Sequence, residues 1–134
     1  YGRKFINAKP DFFERSAVPL ILYGRDVLKG ISVPPGAAGS HMDIGPTLIE
    51  LTAPKGFEYY SVGQDLLTPR KQFFGVGWGR VIGKDFLFDA GQRQFHPLPD
   101  RPLPAALPDI NELKTLYDQT YGIGWWRVRR GAKL

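Results

Sequence analysis

Between positions 73 and 89 the chain is written in short aromatic or β-branched runs cut by glycine, and no other stretch limits its folding options as much. The runs 73–77, 79–82 and 85–89 are too short to nucleate a helix and are composed of residues that suit a half-buried pleated surface. Glycine or Gly-Lys between them supplies tight turns, so an antiparallel meander is expected. Gly75, Gly77 and Gly79 then mark strand and turn positions. Their G-x-G-x-G spacing, followed by a strand, is not the G-x-G-x-x-G strand-to-helix fingerprint of a dinucleotide site.

Two helices are expected to flank this sheet. In the first, Asp43 is the expected cap and Pro46 is tolerated in the opening turn. Ile44, Leu48 and Leu51 share one face, with Ile49 beside them, and Pro54 and Gly56 end the helix. The second follows a proline-rich linker at 97–108. Asp109-Ile110-Asn111-Glu112 has the form of a capping box, Ile110, Leu113, Leu116, Tyr117 and Tyr121 form a stripe, and Gly122 is the expected stop. Trp125 and Trp126 beyond it read as an anchor onto the sheet.

Upstream, a short helical turn is expected over 11–15. The run 18–23, Val-Pro-Leu-Ile-Leu-Tyr, has no alternation and reads as a strand buried on both faces, with Pro19 at the sheet margin. The resulting fold class is α/β: part of a mixed sheet with flanking helices, followed by a small antiparallel sheet and a carboxyl-terminal helix. Residues 1–67 form the α/β part and 68–134 the antiparallel strands and terminal helix of one unit.

The composition narrows the function classes. With 43% hydrophobic and 13% aromatic residues the chain is globular rather than disordered. The absence of cysteine removes disulfides, thiolate metal sites and a cysteine nucleophile. No apolar run approaches the ~20 residues that span a bilayer, so these residues are expected to be soluble. The net charge of +5 suits an anionic partner, although Arg127, Arg129, Arg130 and Lys133 place much of it in the tail. A basic non-catalytic module that binds nucleic acid or membrane head groups through Trp125, Trp126 and these arginines is therefore the competing class, with nucleic acid not expected. Only His41 and His96 are present, so a three-histidine metal site is impossible. His96 reads as a strand-to-loop residue, and His41, just before the first helix, as a candidate for a cleft. The start at Tyr1 rather than methionine suggests a piece of a longer product.

Two features carry a family resemblance. The run 18–23, followed by Ser40-His41-Met42-Asp43-Ile44-Gly45-Pro46-Thr47-Leu48, resembles the strand and Asp-x-x-Pro-Thr-Leu helix of the alkaline phosphatase superfamily, in its sulfatases and lipoteichoic acid synthase-type phosphoglycerol transferases. Gly63-Gln64-Asp65-Leu66-Leu67 is similar to the Gly-x-Asp-Leu-Leu that follows. The resemblance covers about residues 1–67. It implies a metal-dependent enzyme using Mn, Mg or Ca, acting on an anionic sulfate or phosphate ester, with its nucleophile and metal ligands upstream of Tyr1. These residues alone would then be inactive, would bind no metal, and would have the missing amino-terminal part as partner, or self-associate to cover an exposed sheet edge. Arg3, Lys4 and Lys9 are the residues it places near the substrate, and His41 joins them as a candidate through its position before the first helix. It further implies that the parent protein is membrane-anchored with its catalytic domain outside the cytoplasm.

Overall fold

The computed structural model describes residues 15 and 17–130. The meander is present and has four strands rather than three. β1 (Gly75–Gly77), β2 (Arg80–Ile82), β3 (Phe86–Asp89) and β4 (Gln94–Pro97) lie side by side in chain order, each antiparallel to the next. Helix α1 (His41–Thr52) precedes them and α2 (Ile110–Arg130) follows, giving the expected mixed α and β composition.

The register explains why so small a sheet holds together. Val76 lies opposite Val81, Val81 opposite Phe88, and Phe88 opposite Phe95, so one face carries a continuous apolar row across all four strands. Directly opposed apolar side chains are the unit of sheet stabilisation. Phe95 meets the rings of Phe86 at 5.3 Å and Phe88 at 5.2 Å. Leu113 of α2 completes the cluster, with Ile110, Leu116, Tyr117 and Tyr121 packed at its margin. Val81 and Phe88 are fully enclosed, and each such burial contributes about 2–3 kcal/mol.

The turns match their residues. Trp78 and Gly79 join β1 to β2, and Gly79 takes φ 74°, which a side chain would strain. Asp89 Oδ1 accepts from the amides of Gly91 (2.9 Å) and Gln92 (2.7 Å), folding the chain back into β4. The Gly79 amide donates to the Tyr117 hydroxyl at 3.2 Å, tying this first hairpin to α2.

Several local expectations need correction. Residues 18–23 form no strand: Val18 is 65% exposed, Ile21 84% and Tyr23 98%. A strand needs a neighbour for its backbone groups, and every member of the described sheet comes from 75–97. Leu20, Leu22, Leu28, Ile31, Val33 and Leu66 instead border an open apolar cavity of about 380 Å³. His96 does stand at a strand-to-loop transition, paired with Leu87 in β4 and one residue before that strand ends at Pro97.

In α2, Asp109 caps as expected, its Oδ1 accepting from Asn111 N at 2.7 Å and Glu112 N at 3.0 Å. Gly122, however, does not stop the helix, which continues through Gly124 to Arg130. A glycine stop requires the left-handed region, and neither glycine is among the positive-φ residues. Trp125 and Trp126 therefore leave the sheet with the helix and are 57% and 48% exposed, not an anchor upon it. No helix among the described residues is long and apolar enough to cross a membrane.

Candidate functional site

The most constrained polar arrangement lies where α1 begins. The cap is Ser40, three residues before the expected Asp43. Ser40 Oγ accepts from Met42 N at 3.3 Å, while Asp43 Oδ2 accepts from Ser40 N at 2.6 Å and from Ser40 Oγ at 3.1 Å. Ser-x-x-Asp is a capping-box spacing, and that signal identifies Ser40 from sequence.

The side of α1 that turns inward is also not the aliphatic one. Asp43, Pro46 and Thr47 are buried, while Leu48 is 43% exposed and Ile44, Ile49 and Leu51 are half-buried. Buried polar groups need partners, and here they find them in the 63–67 segment. Asp43 Oδ1 accepts from the Gln64 amide at 2.7 Å. Thr47 Oγ1 donates to the Asp43 carbonyl at 2.6 Å and accepts from the Leu66 amide at 3.0 Å. Gly63 lies so close to the Met42 carbonyl that a Cβ there would overlap it.

The loop has its own internal scaffold. Asp65 is buried; its Oδ1 accepts from Leu67 N at 3.0 Å and its Oδ2 from Thr68 Oγ1 at 2.5 Å. Arg70 donates to Gln64 Oε1 at 2.6 Å and to the Asp65 carbonyl at 3.2 Å. Gly75 of β1 approaches the Gly39 backbone so closely that no side chain fits between them. Loop, helix start and sheet edge thus meet at one junction. Tyr59 donates to Glu50 Oε1 at 2.8 Å on its exposed margin, and that bond to a carboxylate raises the phenol pKa above its ordinary value.

This junction can position backbone, but its two buried carboxylates are occupied by donors. Asp43 takes three hydrogen bonds and Asp65 two. Among the described residues no three His, Asp or Glu side chains come together as metal ligands, so the implied divalent metal finds no fitting site in them. Of the residues placed near substrate, His41 is the exposed first residue of α1. Arg3, Lys4 and Lys9 lie outside the described residues, as does most of the helical turn expected over 11–15. Thr47 and Asp65 were not singled out as buried polar residues by sequence; their signal is the Pro-Thr-Leu and Gly-Gln-Asp-Leu-Leu context in which they occur.

No protein-family model, curated protein or solved structure matches the chain.

Proposed function

We propose that the chain is the carboxyl-terminal part of a metal-dependent enzyme that hydrolyses sulfuric esters or transfers glycerophosphate, in which it supplies scaffold and one cleft wall. One observation carries this reading: the two segments that resemble the sulfatase and phosphoglycerol transferase group meet in space. Asp43 and Thr47, from one, accept the amides of Gln64 and Leu66, from the other. Residues 19–21 positions apart in sequence are thereby fixed against each other through buried bonds.

In this reading the nucleophile and the divalent metal belong to residues upstream of Tyr1. A divalent metal held by those upstream residues would polarise the nucleophile and stabilise charge on the phosphorus or sulfur oxygens. The residues described here hold the helix start and the 63–67 loop rigid beside that chemistry, and His41 presents an imidazole at the helix entrance. The parent protein is tethered to a membrane with this part outside the cytoplasm.

The test compares this chain with the product of its complete reading frame, each supplied with Mn, Mg or Ca. The substrates are an aryl sulfate, an aryl phosphate and a phosphatidylglycerol analogue. Metal-dependent turnover of at least one substrate by the longer product, and none by this chain alone, is expected. Turnover by this chain alone, or an inert longer product, overturns the proposal.

A further inference from the structure

Helix α2 does two different things along its length. Its first turns press Leu113, Tyr117 and Tyr121 onto the sheet. The same stripe continues at helical spacing through Trp125 and Val128, yet these are 57% and 75% exposed, and the residues of α2 packed against the core end at Tyr121. Ile123 and Trp126 add further exposed apolar surface, at 51% and 48%.

The same stretch is strongly basic. Residues 122–130 contain Arg127, Arg129 and Arg130 and no acidic residue, a local charge of +3. The arginines are interleaved with the aromatics: the Arg129 guanidinium lies 6.0 Å from the Trp125 ring centroid. Arg127 lies 6.0 Å from the ring of Tyr60, itself 92% exposed.

We infer that the carboxyl-terminal half of α2, with Tyr60 beside it, docks the protein onto the surface of an anionic phospholipid bilayer. Charge complementarity selects the occupant. A second copy would bring three arginines against three arginines, whereas an anionic leaflet attracts each of them. The apolar residues decide between lipid and nucleic acid. Indoles favour the headgroup boundary, and the aliphatic Ile123 and Val128 partition toward acyl chains. Neither aliphatic chain can stack on a base as an aromatic ring does. Arginine suits this setting because its stem lies along apolar surface while its head reaches phosphate. This inference stands apart from the enzymatic reading, since it uses none of the residues at the α1 junction.

The experiment uses the chain with Trp78→Phe, so that emission reports Trp125 and Trp126 alone. It is mixed with vesicles of phosphatidylglycerol and phosphatidylcholine in equal parts, and separately with phosphatidylcholine vesicles. A blue shift and co-sedimentation with the anionic vesicles only, weakened by added salt, are expected. Each arginine contributes roughly fivefold, so Arg127→Gln, Arg129→Gln and Arg130→Gln together lower binding on the order of a hundredfold. Trp125→Ala with Trp126→Ala lowers co-sedimentation while leaving the circular dichroism of the fold in place. Absence of binding to the anionic vesicles overturns the inference. Equal binding to both vesicle types does so too, as does tighter binding to single-stranded DNA than to anionic lipid.

Discussion

The Asp43 carboxylate accepts the Gln64 amide at 2.7 Å across 21 positions of sequence, and through its other oxygen it also closes the cap of α1. One side chain therefore fixes both where the helix begins and where the 63–67 loop lies. Because Asp43 is only 4% exposed, water cannot readily replace it as acceptor. Asp43→Ala is expected to lower the unfolding free energy by about 2–4 kcal/mol, a lost cap plus amides left without an acceptor. Asp43→Asn retains one acceptor oxygen and should fall between the two. Urea denaturation of the three proteins checks this order; equal stability of the alanine variant contradicts the bridging role.

Thr47 tests the same junction one turn later. Its hydroxyl is both donor and acceptor, to the Asp43 carbonyl and from the Leu66 amide, in a fully enclosed position. Valine preserves the shape and removes the bonds. Thr47→Val should cost about 1–3 kcal/mol because the Leu66 amide loses its acceptor, whereas Thr47→Ser keeps the hydroxyl bonds and sacrifices one buried methyl group. Amide hydrogen exchange at Leu66 separates the two effects: faster exchange is expected in the valine variant and not in the serine variant.

Gly63 packs against backbone, not against a side chain that could rotate away. A Cβ at this position overlaps the Met42 carbonyl and crowds the Asp43 amide. Gly63→Ala should therefore displace the 63–67 segment and cost about 1–3 kcal/mol. Limited trypsin digestion gives a local readout, since Arg70 is exposed and bonded to Gln64 and Asp65. Cleavage after Arg70 should accelerate in the alanine variant, and an unchanged rate contradicts the close packing.

The parts legible in the sequence were those whose signal is local. Glycine between short apolar runs announced β1 to β3, and Asp109 announced the start of α2, because turn and cap chemistry act within a few residues. β4 was missed because Gln94, His96 and Pro97 are poor strand formers. Its place is set by pairing, chiefly Phe95 opposite Phe88. The inward side of α1 was misread because periodicity counts apolar residues. Asp43 and Thr47 turn inward to satisfy amides of a loop that no local pattern connects to them. Similarly, the apolar run at 18–23 carries no information about which neighbour, if any, will cover it.

The continuation of α2 past Tyr121 depends on two glycines that contribute nothing to it. A Cβ on Gly122 or Gly124 would meet no atom within 4 Å, and neither backbone lies in the left-handed region. Alanine is thus permitted at both places and lowers the entropy lost on forming the helix. Each substitution should stabilise the helix by about 0.5–1 kcal/mol. Greater ellipticity at the helical minimum and slower amide exchange over 122–130 are expected in the double alanine variant. Unchanged exchange would place the limit on this segment elsewhere than in its glycines.

Alkaline pH should loosen the contact of α2 with the sheet through Tyr121. Its ring stacks on Tyr117 with centroids 4.8 Å apart. Burial first, and then the charge and hydrogen bonding of Tyr117, raise its pKa above the ordinary value of 10.0. A raised tyrosine pKa means that the folded chain holds its proton where the unfolded chain has begun to release it. The stabilisation is therefore complete below the ordinary tyrosine range and is lost as pH rises through the folded value. Tyr59, raised by its bond to Glu50, acts in the same direction from the α1 side. Urea midpoints measured from neutral pH upward should fall once the tyrosine range is reached, less steeply in Tyr121→Phe, and least in the variant that also carries Tyr59→Phe. A midpoint that rises with pH, or an identical slope in all three proteins, would exclude these two phenols as the source.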